Sequence, residues 1–293
     1  MEKAYQSLSL FEFQQCFSTD NQCIAYLSAE KWKNGYTCPK CGHTHYCEGN
    51  TQYSRQCMRC KHTDSPTAGT LFHKVKFPLL KAFYIVYFVA TNKQGISSTE
   101  LSRKLGLRQK TCWYFKRKVM KAMESSGNYP LVGKVDVDEF FVGGQEDGKK
   151  GRGKRKKKLV VIAIEKKHRG ISRMYAKEIE HADAENLGNF MREKIEKTAT
   201  VKSDKWIGYK PLKSDFEYLE QIPSGSKGGN FPEIHRAIMM FKAWLRGTHH
   251  KVNDLQAYID EYTYRFNRHL IKSSIFDNLI CRMMSKMPYY LCA

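Results

Sequence analysis

Apolar and polar positions in the middle of the chain follow the periods of strands and helices in turn. Residues 134–144 place three carboxylates among apolar and aromatic positions, a pattern that predicts a strand. The run at 158–167 is almost continuously apolar, which is typical of a buried strand. After it the pattern predicts a strand at 171–179, a helix at 186–197 and a short strand at 199–206. This order of elements indicates an α/β domain built on a mixed sheet.

The first 130 residues are dominated by helical periodicity on both sides of a cysteine-rich stretch. One or two short helices are predicted at 8–27 and a buried helix at 77–91. Ser97 or Ser98 is positioned to cap a further helix that Gly106 ends, and a longer helix opens at residue 109. Two helices joined by a short glycine-containing turn, with basic residues on one face, predict a helix-turn-helix. A generic helical hairpin is the alternative.

The chain is therefore expected to be multidomain. An N-terminal region of helices and a zinc ribbon is predicted at 1–74, and a helix-turn-helix region at 75–130. The α/β domain is expected at 131–270 and a C-terminal tail at 271–293.

The strand at 134–144 carries the first candidate chemistry. Alternation puts Asp136, Asp138 and Phe140 on one face of this strand. Burying carboxylates as ions costs several kcal/mol unless a cation compensates them, so a metal site is one interpretation. An edge strand with a solvated acidic face is the other. Asp204 falls at the tip of the fourth strand, and two carboxylates brought together in this way suit a two-metal phosphoryl-transfer site.

A helix that opens near Pro232 supplies a further candidate. His235, Met239 and Lys242 lie on one face of it. A lone histidine near the start of a helix is either a structural residue or a ligand, and the residues alone leave both interpretations open.

Ten cysteines include two CxxC pairs, and fifteen residues separate the pairs. This spacing predicts a structural zinc ribbon with four thiolate ligands, Cys38, Cys41, Cys57 and Cys60. His43, His45 and Cys47 lie in the intervening loop and are possible competitors.

The net charge of the chain indicates the kind of partner that it binds. The chain has 50 Lys and Arg against 29 Asp and Glu, a net charge of +21, which indicates nucleic acid first and an anionic membrane surface second. Residues 143–158 are rich in glycine and densely basic, either a loop that grips a phosphate backbone or a solvated hairpin tip. The start of the chain does not resemble a signal peptide, so we expect a soluble, cytoplasmic protein. The candidate DNA-binding residues are Arg108, Gln109, Lys110, Lys116, Arg117, Lys154, Arg155, Lys156 and Lys157.

Several stretches together resemble a known family. They are FxxxxxCIAYLSAEKWKNGYTCPKCG, SPTAGTLFHKVKFPL, VDVDEFFVGG, VKSDKWIGY and LRGTHHKVNDLQAYIDEYTYRFNRH. Their order is similar to that in the DDE-type transposases of small bacterial insertion sequences, in the group whose zinc ribbon precedes an RNase H-like catalytic domain.

The resemblance implies that Asp138 and Asp204 bind catalytic Mg²⁺ or Mn²⁺. Many relatives place a glutamate seven residues before a lysine at the third position, where this chain has His235 before Lys242. An Asp-Asp-His variant is therefore implied, with Lys242 as an accessory cation and Glu233 as the fallback ligand.

The implied activity is cleavage of DNA at the element ends followed by strand transfer into target DNA. The implied partners are the terminal inverted repeats, the target DNA and further copies of the chain, as a homodimer or higher oligomer assembled on DNA in the bacterial nucleoid. A non-catalytic DNA-binding protein and an RNase H-like nuclease or resolvase are the alternatives.

Overall fold

The structure is a computed structural model that describes residues 8–143, 157–168, 170–248, 252–268 and 275–290. The chain divides into two compact units. The first consists of residues 1–123 and 271–293, and the second of residues 124–270.

The helices and strands of the described residues are numbered here in chain order. The α-helices are α1 (Leu10–Cys16), α2 (Asp20–Lys31), α3 (Leu79–Thr91), α4 (Ser98–Leu105), α5 (Gln109–Met123), α6 (Ala184–Lys194), α7 (Pro232–Thr248), α8 (Leu255–Phe266) and α9 (Ile275–Ser285). The strands are β1 (Tyr46–Glu48), β2 (Arg55–Cys57), β3 (Thr63–Asp64), β4 (Lys134–Val142), β5 (Lys158–Lys167), β6 (Gly170–Ile179), β7 (Thr200–Ser203) and β8 (Leu219–Gln221). Two 3₁₀ helices span Ile207–Ser214 and Ser226–Gly228.

An aromatic cluster holds the helices of the first unit together. Phe13 of α1, Phe17, Phe83 of α3 and Phe276 of α9 are buried, and those of their rings that are in contact have centroids 5.0–6.0 Å apart. Each such side chain contributes about 1.5–3 kcal/mol through burial. The segment expected to be a C-terminal tail thus supplies α9 to this core, while the predicted domain boundaries remain predictions.

The turn between α4 and α5 follows the predicted pattern. The Ser97 hydroxyl accepts a hydrogen bond from the Glu100 N–H at 3.1 Å, which satisfies one of the free donors at the start of α4. Gly106 ends α4 with φ of +59°, in the left-handed region that glycine adopts without strain. The predicted cap and the predicted stop are both confirmed.

The second unit is built on a five-stranded sheet in the order β6-β5-β4-β7-β8. β6, β5 and β4 are antiparallel neighbours, whereas β7 runs parallel to β4 and β8 runs parallel to β7. The predicted mixed sheet is confirmed, and with the first three strands antiparallel and the last two parallel it has the expected RNase H-like arrangement.

Alternation along β4 divides the core between the two faces of the sheet. Val135 and Val137 pack with α6 and the 3₁₀ helix at Ile207–Ser214, while Phe140 packs with α7 and α8 on the other face. β5 is buried from Leu159 to Glu165 because both of its faces are covered, as its unbroken apolar run predicts. The two faces of β4 therefore meet different helices.

Side-chain amides cover part of the outer edge of the sheet. Asn267 accepts the Met174 N–H at 2.8 Å and donates to the Met174 carbonyl at 2.9 Å. Gln256 of α8 accepts the Glu178 N–H at 2.8 Å. These groups occupy positions on β6 that another strand would otherwise pair with.

Among the helices in the described ranges, none combines the length and the apolar character that crossing a bilayer requires.

The pairing of Asn267 with β6 gives a first testable prediction. Asn267→Ala should leave two backbone groups of Met174 without partners, at a cost of about 1–2 kcal/mol, so amides in β6 should exchange hydrogen roughly 5- to 30-fold faster. Hydrogen exchange of β6 peptides measured by mass spectrometry tests this. Asn128→Ala, which alters an exposed asparagine of the same unit, is the control. Equal exchange in the two variants would contradict the prediction.

Candidate active site and zinc centre

The four cysteines of the two CxxC pairs converge in the first unit. The sulfur atoms of Cys38, Cys41, Cys57 and Cys60 all lie within 4.8 Å of one another. The Gly42 N–H donates to the Cys38 carbonyl and the Lys61 N–H to the Cys57 carbonyl, so each pair sits on a tight turn. Four thiolates on two such turns match the ligand set of structural zinc.

The expected competitors lie outside this cluster. Cys47 is exposed, and its thiol contacts the Gln56 carbonyl at 3.7 Å. The rings of His43 and His45 lie beside each other, with their centroids 5.3 Å apart. Neither histidine joins the cysteines in a group of converging ligand atoms among the residues that the structure describes.

In the second unit, Asp138 and Asp204 belong to neighbouring parallel strands. The last residues of β4 and β7 in register are Asp136 and Lys202, so Asp138 and Asp204 each lie two residues further along. Asp204 follows the end of β7, where its Oδ1 accepts the Trp206 N–H at 3.0 Å. The sheet therefore brings both predicted aspartates to the same end of adjacent strands.

His235 lies in the first turn of α7, on the face of the sheet that carries Asp138. Its Nε2 is 3.6 Å from Asp138 Oδ2, and its side chain is 43% exposed against 19% for Asp138. Gly228 provides the space for the ring, since a Cβ at this position would lie 2.4 Å from His235 Cε1. The structure thus pairs the first and third predicted ligands.

Glu233, the fallback ligand, lies close enough to Asp136 to affect its pKa. Asp136 is 1% exposed, and Lys166 Nζ lies 2.7 Å from its Oδ2. Burial raises the pKa of Asp136, Lys166 opposes this shift, and Glu233 adds to it. His235, by contrast, has its Nε2 3.6 Å from Asp138 Oδ2.

Lys242 lies two turns further along α7. Its ammonium group is 5.1 Å from the centre of the Phe140 ring. Burial lowers the pKa of Lys242, neighbouring Arg246 and Lys157 lower it further, and Asp138 acts in the opposite direction. Arg246, Lys157 and Asp138 therefore all lie within electrostatic range of Lys242.

The ligand atoms of Asp138, Asp204 and His235 converge less closely than the sulfur atoms of the cysteine cluster. Across the described ranges, only the four cysteines place three or more potential ligand atoms within 4.8 Å of one another. Asp138 and His235 are in contact, and Asp204 extends from the adjacent strand. Carboxylate oxygens and an imidazole nitrogen are nevertheless donors that a divalent metal ion can accept.

Two further residues of this region were not predicted. Tyr209 is fully buried, and its hydroxyl donates to Glu139 Oε2 at 2.9 Å. Burial raises the pKa of Tyr209 well above its usual value, and the nearby carboxylates Glu139, Asp138 and Asp204 act in the same direction. The hydroxyl therefore remains a protonated donor. The signal available in the sequence is a tyrosine five residues after Asp204, at the end of the short apolar run 206–209 between two lysines.

The predicted DNA-binding residues of α5 separate into two groups. Arg108, Gln109 and Lys110 are exposed at its N-terminal end, where Gln109 Nε2 donates to Ser98 Oγ at 2.6 Å. Lys116 is 3% exposed and donates to the Ile96 carbonyl at 2.8 Å. Arg117 is 6% exposed and lies 5.9 Å from the Trp113 ring centre. Their burial corrects the expectation that Lys116 and Arg117 face a nucleic acid.

The predicted basic loop can be placed only at its end. Lys154, Arg155 and Lys156 lie outside the described residues, whereas Lys157 is described immediately before β5.

Comparison with protein families gives two matches. Residues 130–267 match the ISXO2-like transposase domain, and residues 18–63 match the transposase zinc-ribbon domain. Among curated proteins no match is found.

Solved structures give matches of low similarity. A pre-cleavage Mos1 transpososome is 11% identical, with 70% of this chain and 79% of that chain covered and a TM-score of 0.26. The Mos1 mariner paired end complex with Mn is 11% identical, with 69% and 78% covered and a TM-score of 0.29.

The cysteine cluster gives a second prediction. Purified protein should contain one zinc ion per chain, and Cys38→Ser or Cys60→Ser should lose it and unfold the ribbon, because bound zinc supplies folding free energy to such modules. Elemental analysis and circular dichroism measure this. Cys47→Ser, outside the cluster, should retain the metal. A wild-type protein free of zinc would contradict the prediction.

Proposed function

Because the chain carries an ISXO2-like transposase domain behind a transposase zinc-ribbon domain, we propose that it cleaves DNA at the ends of its own element and joins them to target DNA. The observation that supports this activity most directly is the contact between His235 and Asp138 at the sheet end reached by Asp204. Metal-dependent phosphodiester cleavage needs such ligands at one place.

In this proposal Asp138, Asp204 and His235 hold divalent ions, Mg²⁺ or Mn²⁺. When bound, such ions activate water for attack on a phosphodiester and stabilise charge on the leaving oxygen. A histidine in place of a carboxylate leaves one negative charge fewer, so the preference should shift toward Mn²⁺.

Cations near the site have a separate role. Lys242 lies within electrostatic range of Asp138, and Arg246 and Lys157 are close to Lys242. Because all three side chains are cationic, an anionic phosphate beside Lys242 would be attracted to them. We assign them to holding the DNA backbone beside the acidic residues.

Recognition of the element ends is assigned to the first unit. Arg108, Gln109 and Lys110 present donors at the exposed end of the second helix of the predicted helix-turn-helix. The partners in this proposal are the terminal inverted repeats and target DNA, bound in the nucleoid by a homodimer or higher oligomer.

A strand-transfer assay provides the third prediction. With precleaved ends and a target plasmid, the wild type should join the ends in Mg²⁺ or Mn²⁺. Asp138→Asn, Asp204→Asn and His235→Ala should abolish joining while end binding survives, and His235→Glu should retain activity in Mg²⁺ because a hard carboxylate suits that ion. His181→Ala, which removes an exposed histidine of the same unit, is the control.

Other outcomes would identify other functions. A fully active His235→Ala variant would remove His235 from the site and point to Glu233. Binding of ends without any cleavage or joining would favour a non-catalytic DNA-binding protein, whereas cleavage without joining would favour a nuclease or resolvase.

The fourth prediction separates base recognition from phosphate contact. Replacing Lys154, Arg155, Lys156 and Lys157 by alanine should weaken binding to all DNA and reduce the salt slope by up to about four, roughly 0.9 per phosphate contact. Gln109→Ala should instead change the preference among end sequences. Titrations over a range of salt concentrations measure both. Lost specificity with an unchanged salt slope in the loop variant would reverse the assignment.

A further inference from the structure

Glu139 follows Asp138 directly but points to the opposite face of β4. It belongs to the side of Val137, where the core is formed with α6 and the 3₁₀ helix at Ile207–Ser214. The side chain is half-buried there, and its Oε2 accepts the hydroxyl of Tyr209 at 2.9 Å. A movement of Glu139 would turn the backbone that carries Asp138.

Tyr209 is anchored on its own side of this bond. Its ring is fully buried in the same core cluster, so the hydroxyl has little freedom to choose another partner. A buried hydroxyl without a hydrogen bond would cost about 1–3 kcal/mol. The link to Glu139 is therefore well defined.

The segment from Asp204 to Tyr209 is short and held at several points. Asp204 Oδ1 accepts the Trp206 N–H, and Gln221 Nε2 donates to the carbonyls of Asp204 and Trp206 at 3.2 and 3.0 Å. Trp206 Nε1 donates to the Ala182 carbonyl at 2.6 Å. At Gly208 a Cβ would lie 2.7 Å from that same carbonyl, so the segment is closely packed.

The Tyr209–Glu139 hydrogen bond thus joins the segment that begins at Asp204 to the residue beside Asp138. We infer that Tyr209 and Glu139 are positioning residues that fix the separation of Asp138 and Asp204, and with it their affinity for divalent ions. This inference rests on the proposed function only in its choice of the two aspartates as ligands. Residues that orient metal ligands typically change metal affinity or activity by about 10- to 100-fold when they are removed.

A purely structural role would have a different consequence. Tyr209→Phe would then lower the unfolding temperature without changing the affinity of the folded protein for metal. Metal affinity measured below the unfolding transition separates the two roles.

The experiment measures Mn²⁺ binding to the full-length, zinc-loaded protein by the electron paramagnetic resonance signal of free Mn²⁺. Tyr209→Phe and Glu139→Ala should each weaken Mn²⁺ binding at least about tenfold, and the double variant should be no worse than either single variant because both remove the same bond. Glu139→Gln keeps an oxygen acceptor of the same length and should stay close to the wild type. Joining activity should require correspondingly higher Mg²⁺ in the weakened variants.

Tyr262→Phe is the matched control. Tyr262 is a buried tyrosine of the same unit whose ring packs with Phe241 and Trp244 on the other face of the sheet. The Mn²⁺ affinity of the Tyr262→Phe variant should equal that of the wild type.

Unchanged Mn²⁺ affinity in folded Tyr209→Phe would overturn the inference. A zinc-loaded wild type that binds no Mn²⁺ would also overturn it. If Tyr209→Phe does not fold, the Mn²⁺ affinities of Glu139→Ala and Glu139→Gln are compared instead. Equal affinities in these two variants would overturn the inference. Weak binding by Glu139→Gln with normal binding by Tyr209→Phe would make Glu139 itself a ligand and refute the positioning role. A wild type that binds Mn²⁺ but joins no ends would refute the proposed function while the comparison of variants still stands.

Discussion

Pairing of β4 with an antiparallel strand on one side and a parallel strand on the other is the constraint on which the second unit depends. The antiparallel partner β5 fixes the register over the whole of β4, and the parallel partner β7 ends directly before Asp204. A parallel neighbour brings two residues from distant parts of the sequence to the same end of the sheet. Without it Asp138 and Asp204 would have no common location.

Much of this arrangement can be predicted from local pattern. The alternation at 134–144 and the unbroken apolar run at 158–167 predict strands because the period of the side chains reveals how many faces are covered. The CxxC pairs predict their own cluster because the ligands lie on tight turns and need little help from the rest of the fold. Asp138 and Asp204 could be identified as candidates, but their proximity depends on which strands pair.

Contacts between distant residues account for what could not be predicted. The bond between Tyr209 and Glu139 spans seventy residues and crosses from a 3₁₀ helix to a strand, so neither residue carries a local signal of it. Lys116 and Arg117 are a different case, because α5 also buries Cys112, Phe115 and Val119, and helical periodicity places Lys116 on that same face. Counting basic residues along α5 overestimated its exposed charge.

Gly228 has a consequence for how this gene can change over generations. Every codon change that replaces this glycine puts a β-carbon into the space of the His235 imidazole and also meets a backbone with φ of +76°. A position remote in sequence from both aspartates is thereby tied to the histidine. Exchange of His235 for a smaller side chain would lift only the steric part of this restriction. The positive φ would still favour glycine at residue 228.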